Sequence, residues 1–257
     1  MSIAQATVEL AAESGLDLNA TDDHGNTLLA LAAKHGNILL AKQILGYHRL
    51  KVNAKNYCGR TPLAQAATWG HIGVVALLLQ NSAVDVNSED NYGNTPLALA
   101  AEEGYEIVIK ALLEREEIQA DSRNVFNATP LALAAERGHE AVVVCLLNRH
   151  DVEADSVDKE GCTPLSRAAA MGFEDIVRIF LGRPDVEVNS KDRDGYTPLA
   201  WAARRGHGAV VRALLEGGKL EIESKDNDGN TALMLAREEG HEEVVQLLVE
   251  AVEAEYC

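Results

Sequence analysis

Thr-Pro-Leu, trailed by a pair of alanines, returns along this 257-residue chain every 34 positions, at Thr61, Thr95, Thr129, Thr163 and Thr197. Degenerate versions, Thr27-Leu28-Leu29 and Thr231-Ala232-Leu233, keep the phase at the two ends, and a glycine follows nine residues after each threonine: Gly36, Gly70, Gly104, Gly138, Gly172, Gly206 and Gly240. Such a sequence is one supersecondary unit copied head to tail, and each copy can bury its apolar faces only against its neighbours. The phase leaves no room for a linker, so a single domain over residues 1–257 is expected. Its parts are an N-terminal capping half-repeat at 1–15, repeats at 16–49, 50–83, 84–117, 118–151, 152–185 and 186–219, and a C-terminal capping repeat at 220–257. In that last copy Arg237, Glu238, Glu239, Gln246 and Glu250 put charge where inner copies carry alanine or apolar residues, as a solvent-facing end requires. The chain reads as a bounded array.

Helix signals define the unit. The threonine caps an incoming helix with its hydroxyl, and proline takes the first helical position, where its missing N–H is not needed. Five of the six prolines, Pro62, Pro96, Pro130, Pro164 and Pro198, stand there. The alanines allow close helix approach, and the glycine ends the helix in a left-handed conformation. A second helix follows, with Val142, Val143, Leu146 and Leu147 forming its buried stripe in the fourth copy. Then comes an extended stretch such as Val84-Asp85-Val86-Asn87 and a turn such as Asp90-Asn91-Tyr92-Gly93. The unit is helix, helix, protruding hairpin.

These residues resemble the ankyrin repeat, whose pattern runs D-x-x-G-x-T-P-L-H-x-A-A-x-x-G-H into a second helix ending in paired leucines. Tetratricopeptide repeats share a period of about 34 residues but carry their proline after the second helix and lack the Thr-Pro-Leu and the hairpin. The resemblance covers about residues 16 to 252. It implies an all-α repeat, an α-solenoid of ankyrin-type helix-helix-hairpin copies, with no cofactor. Three departures stand out. The family unit is about 33 residues long, and the residue added here is apolar, Leu50, Val84, Ile118, Val152, Val186 or Leu220, expected to fold back onto the helices. The family histidine after Thr-Pro-Leu is replaced by Ala64, Ala98, Ala132, Ser166 or Ala200, so its bond to the threonine is lost and the hairpin bases are expected to be less firmly held. Asn127 replaces a turn glycine, a change that asparagine tolerates better than other side chains.

A formal charge of −17 opposes nucleic acid and anionic membranes as partners. No stretch has the length and apolarity of a membrane span, and no basic segment followed by an apolar run opens the chain. Cys58, Cys145, Cys162 and Cys257 are too scattered for a disulfide. These features suit a reducing intracellular compartment, cytoplasmic or nuclear, where Asn127-Ala128-Thr129 stays unglycosylated and the chain is a monomer.

In ankyrin arrays hairpin tips and first helices line a concave groove. The resemblance maps Tyr57, Tyr92, Phe126 and Tyr196 onto hairpins and Trp69 and Trp201 onto first helices, which is six of the eleven aromatic residues. Stabilising the stack is the blander role for them, but Leu, Val and Ile already fill the buried stripe. Acidic and basic groove residues nearly balance, against −17 for the chain. Lys159, Arg167, Arg193, Arg204 and Arg205 make a basic zone in copies five and six, beside an aromatic zone in copies two to four. The expected binding residues are Tyr57, Trp69, Tyr92, Glu103, Phe126, Arg137, Arg167, Arg193, Tyr196, Trp201, Arg204 and Arg205.

Other chemistry finds little support. His71, His139, His207 and His241 follow the helix-ending glycines and are assigned to local backbone hydrogen bonds. His24, His35, Asp23 and Cys58 lack metal-ligand spacing, so no metal is expected. Glu102, Glu103 and Glu136, near Tyr92, Trp69 and Arg137, offer carboxylates for an aromatic-walled pocket, yet no catalytic motif accompanies them. The reading is a protein-binding adaptor that uses the concave groove, is not an enzyme, and takes a partner carrying apolar and acidic residues. The alternative is small-molecule binding or catalysis in the aromatic and carboxylate section of copies two to four.

Overall fold

The computed structural model describes residues 17–47, 49–217 and 219–255. The half-repeat expected at 1–15 and Cys257 lie outside the described residues. The chain falls into two compact units, residues 1–125 and 126–257. In the first, the copies contribute α1 (Leu28–Lys34) and α2 (Ile38–Leu45), α3 (Pro62–Thr68) and α4 (Ile72–Leu79), then α5 (Pro96–Glu103) and α6 (Glu106–Leu113). In the second they contribute α7 (Pro130–Arg137) and α8 (Glu140–Leu147), α9 (Pro164–Met171) and α10 (Glu174–Leu181), α11 (Pro198–Arg204) and α12 (Gly208–Gly217), then α13 (Ala232–Glu238) and α14 (Glu242–Glu255). Within each unit first helices pack on first helices and second on second, so the architecture is the all-α, ankyrin-type repeat. None of these helices is long and apolar enough to cross a membrane.

Local chemistry accounts for the helices. Every first helix has its threonine hydroxyl accepting a hydrogen bond from the N–H three residues on, at 3.2–3.4 Å. The core is small: alanine pairs such as Ala66 and Ala67 and branched residues such as Val74, Val75 and Leu78 are fully buried. Of the added apolar residues, Val84, Ile118 and Val152 are buried and Leu50, Val186 and Leu220 half-buried, so they do fold inward.

The helix-ending glycines have φ between +65° and +83°, and the reason for glycine is double. A ring from the next copy lies against several of them: a Cβ on Gly172 would sit 2.7 Å from the His207 ring, and one on Gly138 2.6 Å from Phe173. His71, His207 and His241 then hydrogen-bond through Nε2 to the carbonyls of Lys34, Ala170 and Arg204, each at 3.0 Å. These histidines bridge to the preceding copy, which corrects the local role read from sequence.

The hairpins carry few ladder hydrogen bonds of the strand type; two isolated antiparallel bridges, Thr21 with Thr27 and Lys225 with Thr231, are the β-pairing of the described residues. The stretch expected to be extended at Val84–Asn87 closes in a turn at Val86 and Asn87 instead, because Asn87 satisfies the next copy by its side chain. Its Nδ2 donates to Glu117 O at 2.7 Å and its Oδ1 accepts from Gln119 N–H at 2.9 Å. Asn19, Asn53 and Asn189 make the same two-ended clamp. In the Thr-Pro-Leu copies alanine or serine stands where the family histidine would bond the threonine. Serines meet the threonine hydroxyls instead, Ser122 on Thr95 at 3.1 Å and Ser156 on Thr129 at 3.2 Å. Asn127 adopts the left-handed conformation, φ 60°, as expected of it.

Asp155 stands where other copies have the clamping asparagine. Its Oδ2 accepts from Glu187 N–H at 2.7 Å, but its Oδ1 is buried without a hydrogen bond. Burial, first, and the charges of Glu187, Asp185 and Glu153 raise its pKa, against the opposing Glu187 N–H; Arg183 pairs with Asp185 at 2.7 Å. A folded-state pKa raised above the unfolded one means that this group favours folding while protonated and loses that contribution as pH rises through the raised pKa. Asp155→Asn, which restores a donor, should therefore stabilise the chain at neutral pH by about 1 kcal/mol. The gain over wild type should shrink at acidic pH; denaturant unfolding at both pH values checks this, and a destabilised or pH-independent difference contradicts it.

Gly172→Ala should lose about 2 kcal/mol or more, from left-handed strain and from the clash with His207. Denaturant unfolding of the full chain measures it, and a loss under about 0.5 kcal/mol would mean that the close approach is not needed.

Candidate functional site

Successive hairpin tips are tied by one backbone hydrogen bond each. In the first unit Tyr57 N–H donates to His24 O, Asn91 N–H to Cys58 O and Val125 N–H to Tyr92 O, at 2.8–3.0 Å. In the second, Lys159, Arg193 and Asn227 donate to the carbonyls of Phe126, Glu160 and Asp194, at 2.9–3.0 Å. Asp22, Asn56, Asp90, Asp158, Asp192 and Asp226 also close their turns with a side-chain oxygen. Asp90 Oδ1, for instance, accepts from Tyr92 and Asn94 N–H at 2.9 and 3.0 Å. Side chains at the tips are left outward on a fixed backbone: Tyr57 is 71% exposed, Tyr92 58% and Phe126 59%, while Trp69, at the end of α3, is 51% exposed. Glu103 and Arg137 are exposed at the ends of α5 and α7.

A pocket of about 380 Å³ opens in the first unit between the first two hairpins. Its floor is made of amides, Asn26, Asn56 and Gln65; Tyr57 and Trp69 wall it. Lys34, Arg60, His24 and Cys58 complete the lining. Asn56 Nδ2 donates to Asn26 Oδ1 at 2.9 Å, and Asn26 Nδ2 to Asp22 Oδ2 at 3.1 Å, a bond that holds the Asp22 carboxyl below its usual range. Arg60 Nε reaches the Asp90 carboxylate at 3.3 Å. The pocket joins copies one and two, so it shares Tyr57 and Trp69 with the aromatic section read from sequence, but Glu102, Glu103 and Glu136 are not in its lining and no carboxylate is.

In the second unit the basic zone is partly self-satisfied. Arg167 binds Asp158 through Nε at 2.8 Å and Glu160 through Nη2 at 2.6 Å. Burial works against its charge, and these acceptors more than offset that and raise its pKa. Arg167 thus braces a hairpin and does not extend free toward a partner. Trp201 Nε1 donates to Asp192 Oδ2 at 2.8 Å, and its ring lies 5.0 Å from that of Tyr196. Arg204 covers Tyr196 at 5.4 Å, donates to its hydroxyl and pairs with Glu239; Arg205 covers Trp201 at 5.8 Å. Burial raises the Tyr196 phenol pKa although Arg204 opposes it. Arg193 and Arg205 are exposed.

Sequence reading missed the floor of the pocket and the bracing role of Arg167, although a signal was present. Four residues after the copy threonine stands leucine in copies such as Leu99 and Leu133, but Gln65, Arg167 and Trp201 occupy it elsewhere, and each reaches a hairpin polar group. Among the described residues the one group of ligand atoms within metal-binding reach is Asp158, Glu160 and Cys162, all within 4.8 Å. Arg167 already occupies its carboxylates, and burial pushes the Cys162 thiol up to about 12, so it stays protonated. Cys58 and Cys145 are also free thiols.

The sequence model of ankyrin repeats (three copies) matches residues 31–124, 108–192 and 181–257. Among solved structures, the ankyrin repeat domain of Bcl-3, described as a unique member of the IkappaB protein family, superposes with a TM-score of 0.75 at 26% identity, covering 88% of this chain and 100% of that one. No curated protein matches the sequence. Since 594 solved chains share the likeness, likeness by itself selects no partner.

Removing the Arg167 side chain leaves Asp158, 8% exposed, without its cation. Arg167→Ala should lose about 1–3 kcal/mol, whereas Arg193→Ala should stay within about 0.5 kcal/mol of wild type. Equal effects in thermal or denaturant unfolding would contradict the bracing role.

Proposed function

The chain belongs to the ankyrin-repeat family, and from that premise we propose that it is a protein-interaction module that binds a partner through the groove face of its hairpin tips and first helices, without catalysing a reaction. The observation that carries this is the set of large aromatic side chains, Tyr57, Trp69, Tyr92 and Phe126, each more than half exposed. The hairpin three ride on backbones already tied by hydrogen bonds. Desolvating such side chains releases water from large apolar area, and a pinned backbone lowers the ordering entropy that binding must offset. Arginine and aromatic residues dominate interface hot spots, and Arg193, Arg205, Tyr196 and Trp201 bring both kinds to the second unit. Glu103 and Arg137 belong to the polar rim, and Arg167 and Arg204 act from behind by holding hairpin and aromatic partners. The partner is a protein or peptide with apolar residues beside acidic ones. Strong acidity disfavours nucleic acid, and free thiols suit the cytoplasm or nucleus.

The test titrates a captured partner protein against groove variants of the full chain. Tyr92→Ala or Phe126→Ala should speed dissociation and weaken binding by about 2 kcal/mol if either is a hot spot. Reversing Arg193 and Arg205 to glutamate should slow association, an effect that fades as salt rises. Binding that survives these changes but is lost on altering Ile107 and Val144, exposed on second helices, contradicts the reading.

A further inference from the structure

The pocket between the first two hairpins differs from the rest of the surface in three ways. The chain is strongly acidic, with net charge −17, yet this lining holds no aspartate or glutamate, and Lys34, Arg60 and His24 bring positive or titratable groups to it. Arg60 is engaged by the buried carboxylate of Asp90. Lys34 makes no ion pair among the described residues, and its carbonyl accepts from His71, which fixes the end of α1 beside the opening.

The second difference is Gln65. It is 6% exposed and stands where Leu99 and Leu133 fill the core in later copies. A buried amide is disfavoured there unless its hydrogen bonds are made. Its one contact is a long 3.5 Å approach of Nε2 to Asn26 Oδ1, an oxygen that already accepts from Asn56 at 2.9 Å; Oε1 takes no hydrogen bond among the described residues. The floor thus keeps unused hydrogen-bonding capacity facing the cavity. The third difference is that two exposed aromatic side chains, Tyr57 and Trp69, stand in its lining.

We propose that this pocket receives an extended segment of a partner protein in which an apolar side chain is flanked by aspartate or glutamate. The inference rests on the protein-recognition reading above and names the chemistry of one of its subsites. The apolar side chain lies between Tyr57 and Trp69, the carboxylate meets Lys34 at the rim, and Gln65 pairs with the segment's backbone amide. A volume of about 380 Å³ has room for one or two side chains of such a segment. Charge selects the segment: a lysine beside the apolar residue would face Lys34 and Arg60, and only the acidic version gains from them.

The probe is a synthetic peptide with one phenylalanine between two glutamates in an otherwise glycine and serine sequence, titrated into the full chain. Calorimetry supplies Kd, and side-chain amide and indole NMR signals locate the site. The Gln65 and Asn26 amides and the Trp69 indole should shift, and Lys34→Glu, Trp69→Ala and Gln65→Leu should each raise Kd about tenfold or more. Arg212→Glu, the same charge reversal on α12, should change Kd by less than about twofold. The unfolding midpoints of Lys34→Glu and Trp69→Ala should match wild type, since neither residue is buried. Failure of the peptide to bind overturns the proposal, as does equal affinity for a version with lysines in place of the glutamates. Free phenylacetate binding as tightly as the peptide overturns it too, by making the occupant a small molecule. Peptide binding that ignores Lys34→Glu and Trp69→Ala but is lost in Tyr92→Ala removes this pocket and leaves the groove reading standing; loss only in Ile107→Glu removes both.

Discussion

Each hairpin tip is tied to the preceding one by a single backbone hydrogen bond that spans 33 residues, and everything else in the repeat is arranged to keep that register. The glycine that ends each first helix lets a ring of the next copy come within contact of the backbone, and His71, His207 and His241 turn the approach into a hydrogen bond. The asparagines at 19, 53, 87 and 189 do the same on the opposite end of the hairpin. A residue gained or lost within one copy would misalign all three contacts together. This is the physical reason that a strict 34-residue period survives while groove-facing side chains differ from copy to copy.

A pinned loop can hold exposed apolar side chains that a mobile loop would bury or order only on binding. Tyr57, Tyr92 and Phe126 sit on residues whose own N–H or C=O belongs to the tip ladder, so their rings are displayed without a compensating core. The same scaffold absorbs charge. Asp158, Asp192 and Asp90 close their turns with one oxygen and offer the other to Arg167, Trp201 and Arg60. The basic zone is therefore less available to a partner than its composition suggests, and the open cation shifts toward the pocket beside Lys34.

What was legible in the sequence was whatever depends on neighbours within a turn or two. The threonine caps, proline positions, helix-ending glycines and the left-handed Asn127 follow from local backbone geometry and appear as read. The exposure of Tyr57, Trp69, Tyr92 and Phe126 was legible as well, since the repeat places them at tips and helix ends. What escaped depends on residues a whole copy away. The histidines reach carbonyls 37 residues back, and the asparagine clamps reach 30 and 32 residues forward. The pocket needs Asn26 and Lys34 from one copy to meet Gln65 and Trp69 from the next, and no spacing within either copy announces that. Arg167 looked like a groove cation because its acceptors, Asp158 and Glu160, were counted as separate charges.

The central claim is that the hairpin tips are a hydrogen-bonded ladder and not loose loops. Amide hydrogen exchange of the full chain tests it at single residues. The N–H groups of Tyr57, Asn91, Lys159, Arg193 and Asn227 should exchange about tenfold or more slowly than those of exposed loop residues such as Ser82 and Glu116, which make no such bond. Equal exchange at the two sets would contradict the ladder, and with it the preorganised display of aromatic side chains on which the functional reading depends.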